Sequence, residues 1–456
     1  MTDQPSEADL QNPDYSPPLG EAIPLGIQHV LAMFAGNVTV PLLIALAAGG
    51  PQLITPLVQI ALLAAGVATL IQTIGIGPIG SRLPVVQGTS FAYVGILIGA
   101  LKSGATLAAV FGASLIGGLF QIILGFFIPQ IRKYIPSIVS GVVVLTIGLT
   151  LLPVGIKYSA GCGAFPAPFC KGLGFGSLSN WGMAIFVIIV TLLIRRYGKG
   201  IWSAASIFFG LVIGYIVAIP LGMVSPKAIA KIGSSDWFGF PDQWFGLDFS
   251  SPAALGLIGL MIIMAFITTI ETVGDISGIT MGGANREPTD EELKGGIMAD
   301  GFGSAVVALF GGLPNTSYSQ NVGLVSYTKV MSRHVVSIGA VFLILAGLVP
   351  KLAALVAALP SAVLGGAAVV MFGMIAAAGM KLIGQAGFSA RNMTIVAISL
   401  GLGVGIWQVD QLGKLAKFGP IPSTSFVDWS IPLFVSGIVV SGIVAAVLNA
   451  VMPEDD

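Results

Sequence analysis

A succession of apolar runs, each close to the length a helix needs to cross a bilayer, limits what this chain can fold into more than any other feature. A spanning helix needs about 20 mostly apolar residues, fewer where helices are broken. On that basis the sequence offers fourteen candidate segments, with cores at 24–48, 53–76, 84–100, 106–127, 135–154, 180–198 and 201–222, then 252–280, 293–312, 320–332, 334–356, 360–382, 392–407 and 431–451. Only 9% of residues are charged and 55% are hydrophobic, far from a soluble domain, where about a quarter carry charge. The expectation is an all-α polytopic membrane protein. A formal net charge of zero gives no basic surface for nucleic acid.

Residues 1–22 carry five acidic residues and no Lys or Arg, with four prolines. They read as a short solvated tail and not as a secretory signal, which needs a basic start and an apolar core. Cys162 and Cys170 share one Gly/Pro-rich connection. Free thiols and a disulfide both remain open there, the latter if the loop faces an oxidising compartment. No metal site can be assembled around them.

Two segments break the apolar pattern in the same way. The third contains Val85 to Gly95, VVQGTSFAYVG, and the tenth opens with Asn315 to Gly323, NTSYSQNVG. Ser, Thr and Asn compete with the backbone for hydrogen bonds, and Pro314 and Gly312 interrupt a helix. In hydrocarbon such backbone is tolerated only where it meets protein or lines a polar cavity. The alternation from Thr316 to Ser319 suits a short extended piece, and Gln320 can start a helix whose free N–H groups face a site. Each break is third in a set of seven, which predicts two inverted seven-helix repeats around a central site. The repeats cover 23–222 and 250–452, divided by a polar connection at 223–249. Twelve Lys and Arg on the side of the N-terminus against eight opposite place both termini in the cytoplasm.

Ionisable residues inside spans are functional candidates. Glu271 lies deep in the eighth segment and Asp275 one turn later on the same face. Two such carboxylates repel when both are charged, so a proton or a partner is required, as proton coupling demands; a pair satisfied by hydroxyls and backbone is the structural alternative. Asp300 reads equally as a helix cap or a functional carboxylate. His29, after Gln28, suits a hydrogen bond that locks two helices. Ser90 offers a hydroxyl and Phe91 a flat face beside the small Gly88. Ser319 belongs to the polar run, and the Gln320 amide can meet an N–H and a C=O on one ring edge while Glu271 accepts from another. Asn321 points elsewhere and is expected to hold the third and tenth segments together.

Gln320-Asn321-Val322-Gly323, four residues, then Thr328-Lys329 and Ser332-Arg333 resemble the signature of the nucleobase-ascorbate transporter family. Gln28-His29, QGTSF at 87–91, Glu271, Asp275 and Asp300 also stand where that family places them. The resemblance covers nearly the whole chain. It implies a core domain of spans one to four and eight to eleven, a gate domain of five to seven and twelve to fourteen, and a homodimer associating through the gates. It further implies a transporter in the inner membrane, not an enzyme, with no cofactor beyond the proton as coupling ion. The substrate implied is a purine base, xanthine before uric acid. Substrate contacts fall to Glu271, Gln320, Phe91, Ser90 and Ser319, and support for proton coupling to Glu271, Asp275, Asp300, His29 and Asn321. The alternatives are a uracil-type symporter and an anion channel or exchanger of the same architecture. Such anion carriers often hold a positive residue in the site and a soluble C-terminal domain, whereas this chain ends at Pro453-Glu-Asp-Asp456.

Overall fold

The computed structural model describes residues 6–102, 104–161, 174–241, 243–411 and 436–453. The Cys162–Cys170 question lies outside them. In the first half the elements are α1 (Glu7–Gln11), α2 (Leu19–Ala48), α3 (Ile54–Ile74), β1 (Gln87–Thr89), α4 (Val94–Lys102), α5 (Leu107–Phe126), α6 (Ser137–Ser159), α7 (Leu178–Tyr197) and α8 (Ser206–Ala218). The connection between halves holds the short α9 (Pro226–Ser234). The second half has α10 (Pro252–Ala284), α11 (Asp290–Leu309), β2 (Asn315–Ser317), α12 (Ser319–Thr328), α13 (Arg333–Gly347), α14 (Pro350–Ala357), α15 (Ser361–Ala386), α16 (Ala390–Gln411) and α17 (Gly437–Val451).

Helix ends follow local chemistry. The 33-residue α10 starts where the Ser251 hydroxyl accepts from the Ala254 N–H and Pro252 occupies the first turn, and stops at Asn285 in the left-handed region, φ 51°. At 1.5 Å per residue it runs about 50 Å, enough to bury Glu271 and Asp275 well inside. Helix α11 opens with a capping box between Thr289 and Glu292. That start corrects the reading of Asp300 as a cap: it sits in the body of α11 with no exposed surface.

Among the described residues eight helices are long and apolar enough to cross a membrane, or nine if α13 and α14, which meet at 79°, form one broken span. The fourteen expected spans are therefore not all helices of spanning length. In the third and tenth segments a strand replaces part of the helix, leaving nine and ten helical residues. The seventh breaks at Ala205 and continues as the 13-residue α8. The ninth begins with Asp290, Glu291 and Glu292.

With lipid outside, helices associate by close packing of small residues and buried hydrogen bonds. Helices α5 and α11 touch where Gly118 meets Gly301; a Cβ on either would lie 2.6 Å from the other's carbonyl oxygen. Helices α6 and α15 pack closely at Gly379, where a Cβ would fall 2.3 Å from the Leu145 nitrogen. Helices α2 to α5 pack with α10, α11 and α13, while α6 to α8 pack with α15 and α6 also with α16 and α17. The N-terminal tail is not merely solvated. Leu10 and Pro13 carbonyls accept from the N–H groups of Met331 and Arg333, and the Ser332 hydroxyl donates to the Tyr15 carbonyl at 2.5 Å.

Candidate functional site

Two three-residue strands form the centre of the site. They pair antiparallel, with Gln87 opposite Ser317, Gly88 opposite Thr316 and Thr89 opposite Asn315. The pairing continues at both ends, Tyr318 N–H to Val86 carbonyl at 3.0 Å and Ser90 N–H to Pro314 carbonyl at 2.9 Å. The open backbone of one broken segment thus satisfies the other, as the apolar surroundings require.

Outer contacts come from polar side chains inside apolar helices. Thr69 of α3 accepts from the Gln87 N–H at 2.9 Å and faces its carbonyl at 3.4 Å. Ser304 of α11 does the same for Asn315, at 2.9 and 3.1 Å. Asn37 of α2 accepts from the Thr89 N–H at 2.9 Å and donates to the Ala61 carbonyl at 3.2 Å. The Tyr318 hydroxyl donates across to the Thr89 carbonyl at 3.0 Å. None of Asn37, Thr69 and Ser304 was singled out from sequence, although a buried polar residue in a spanning helix was the available signal.

Each strand is also attached to a carboxylate. Asp300 accepts from the Gln87 amide and from the Thr272 hydroxyl. Asp275 accepts from the Ser317 and Ser319 hydroxyls, both at 2.6 Å. Ser319 is the first residue of α12, so Asp275 lies at the positive end of that helix, where a negative charge is favoured. Ser319 therefore anchors this carboxylate. Glu271 lies within electrostatic reach of both aspartates, and its Oε2 has no hydrogen-bond partner among the described residues. Charge-bearing groups so confined interact much more strongly than in water.

A cavity of about 500 Å3 adjoins this cluster, with Asp275, Ser319 and Gln320 in its wall and the exposed Arg195, Tyr327, Lys381 and Gln385 toward its rim. Its size suits a small organic ligand. Three sequence candidates stand elsewhere. Glu271, Ser90 and Phe91 are buried and outside the cavity wall. Phe91 meets Phe372 of α15 edge to face, centroids 5.3 Å apart, so a neighbouring ring occupies the aromatic contact expected for a ligand. The room beside Gly88 is filled too: a Cβ there would lie 2.7 Å from Asn37 Oδ1, Met33 Cε and Tyr318 Cε2.

Asn321 does not join the third and tenth segments. Its amide donates to His29 Nδ1 at 3.0 Å and to the His29 carbonyl at 3.1 Å, tying α12 to α2. In this arrangement Nδ1 accepts and the imidazole proton of a neutral ring sits on Nε2. The third and tenth segments are joined instead by the strand pair. Beyond α12, Lys329 adopts φ 60° and donates to the Gly282 carbonyl at 2.6 Å, while Arg333 reaches Asp14 at 2.7 Å and the Thr73 carbonyl at 2.9 Å.

Comparisons with known proteins bear on the fold and the family. The transmembrane domain of the cyanobacterium bicarbonate transporter BicA superposes with a TM-score of 0.58 at 17% identity, covering 87% of this chain and 97% of that one. SLC26A9 superposes with a TM-score of 0.56 at 14% identity, covering 84% and 62%. These likenesses concern the fold alone. In sequence, the xanthine permease of Bacillus subtilis is 36% identical across 95% of this chain and 94% of its own length. The uric acid transporter UacT of Escherichia coli is 34% identical across 95% and 85%. The profile described as Permease family matches residues 20–412. With that match, and with the relatives aligned over nearly its full length, the chain belongs to the permeases of the nucleobase-ascorbate transporter family.

Proposed function

We infer that the protein carries a purine base into the cytoplasm together with a proton, xanthine ranking before uric acid. The observation that carries this reading is the cavity wall of Asp275, Ser319 and Gln320, in a chain whose relatives are named for xanthine and uric acid. Gln320 supplies a donor and an acceptor to one ring edge. Glu271, with its unpartnered oxygen, accepts from another edge once the protein rearranges, and Phe91 parts from Phe372 to receive the ring. Glu271, Asp275 and Asp300 hold the coupling proton between them, and His29 with Asn321 fixes α12 against α2. No cofactor beyond the proton takes part.

In this reading the fourteen segments are fourteen crossings in two inverted sets of seven. The matching attachments of Thr69 and Ser304 to the first residue of each strand support such a repeat. The helix groups described above serve as core and gate, two copies associate through their gates in the inner membrane, and both termini are cytoplasmic. Asp275 of α10, held by Ser319 beside the start of α12, gives that point an acceptor, which suits a donor-bearing heterocycle better than the inorganic anion of the alternative reading.

Uptake of labelled xanthine into cells expressing the chain, with and without a protonophore, tests the assignment beside Gln320→Glu and Glu271→Gln. Collapse of uptake with the proton gradient, loss in Glu271→Gln and competition by urate are expected. Flux of sulfate or bicarbonate with no response to xanthine would replace this reading by an anion carrier.

A further inference from the structure

Two cations, Arg195 and Lys381, line the cavity. Arg132 pairs with Glu287 and Asp290 at 3.5 and 3.0 Å, Arg286 with Glu292, and Arg333 with Asp14. Arg391 donates to the carbonyls of Asn449 and Met452. Arg195 of α7, by contrast, meets the Met374 sulfur at 3.1 Å, a weak acceptor, and Lys381 of α15 meets the Ser326 hydroxyl at 3.5 Å. Neither has a carboxylate partner among the described residues, and both border the cavity that ends on Asp275 and Gln320. The Gln385 amide and the Tyr327 ring border the same space. Two cations left without counter-charges beside a planar ring and an amide are suited to a flat, negatively charged heterocycle.

We propose that Arg195, Lys381, Gln385 and Tyr327 form a second subsite at the outer end of the cavity that takes an oxopurine as its monoanion. The subsite rests on the purine reading above and deepens it. The inner end presents Asp275 and favours a ring that donates hydrogen bonds; the outer end presents two positive charges and favours the ionised ring. The two ends thereby discriminate protonation states of one substrate class, and the residues that do so at the rim come from α7 and α15, outside the strand pair.

The test is equilibrium binding of urate, an anion at neutral pH, and of hypoxanthine, mostly neutral there, to the purified full chain. Exposed charges each contribute modestly, so the Arg195→Gln, Lys381→Gln double variant is expected to bind urate about three- to tenfold more weakly, with a smaller change for hypoxanthine. Lys381→Arg, which keeps the charge, retains urate affinity, and added salt weakens urate binding to the wild type more than to the double variant. Equal losses for both bases, no loss for urate, or displacement of urate by sulfate at equal concentration would overturn the subsite while leaving the purine reading intact. A wild type that binds neither of these bases nor xanthine overturns both.

Discussion

The two halves of the site are built alike in backbone and differ in what surrounds them. In each, a three-residue strand is held at its first residue by a hydroxyl from the preceding helix, Thr69 for Gln87 and Ser304 for Asn315, and each strand side chain reaches a carboxylate. The first half is sealed: Gln87, Ser90, Phe91 and Asp300 are buried, with Phe91 against Phe372. The second half opens on the cavity through Asp275, Ser319 and Gln320. Symmetric backbone attachment thus builds the scaffold, while side-chain surroundings differ: Asp300 is buried against Gln87 and Thr272, and Asp275 borders the cavity.

The largest effect should separate those two carboxylates. Asp300→Asn leaves one acceptor oxygen for the two buried donors and turns an N–H toward the other, and an unsatisfied buried donor costs about 1–3 kcal/mol. Uptake is expected to fall on the order of 100-fold and the detergent-solubilised protein to melt earlier. Asp275→Asn should depress uptake comparably with a smaller loss of melting temperature, since this group borders the cavity. Equal loss of melting temperature in both would break the distinction between sealed and open halves.

Thr69→Val and Ser304→Ala test the shared scaffold. Each leaves a strand N–H and carbonyl without their hydroxyl partner, at about 1–3 kcal/mol. Similar destabilisation by both, with recovery in Thr69→Ser, would sharpen the equivalence of the halves; a silent Ser304→Ala would break it. A smaller change is expected from Asn321→Ala, which frees α12 from His29. Side-chain hydrogen bonds between membrane helices average about 0.6 kcal/mol and reach about 1.7, so a severalfold loss of substrate affinity with nearly unchanged melting is the expected result in a binding titration.

The least effect should follow Arg333→Lys, which keeps the charge but loses the planar fork that spans Asp14 and the Thr73 carbonyl. An exposed pair contributes about 0.2–1 kcal/mol. Faster proteolysis of residues 6–15 with nearly normal uptake would show that this contact holds the tail against the connection after α12.

The apolar runs, the two interruptions and the carboxylates inside them were legible in sequence because hydrocarbon imposes one-dimensional rules. A span needs length, exposed backbone needs a partner, and a buried charge needs a reason. Those rules located the segments at 85–95 and 315–323 and pointed to Glu271, Asp275, Asp300 and Gln320. They did not foretell the break at Ala205, which no Gly or Pro marks, whereas Pro350 in the first turn of α14 was a readable sign of the bend between α13 and α14.

What tertiary structure alone decided is who meets whom. Nothing local says that Asn321 turns to His29, that Ser319 serves Asp275, or that Phe91 is covered by Phe372. Those pairings join residues far apart in the chain, and their partners are set by how helices pack and not by composition. Asn37, Thr69 and Ser304 look like scattered polar residues until the strands they hold are in place. The sequence by itself determined that polar backbone had to be buried in this membrane protein and roughly where; packing determined which side chains satisfy it and which remain open to the cavity, because a hydrogen bond depends on distance and direction that only the assembled helices fix.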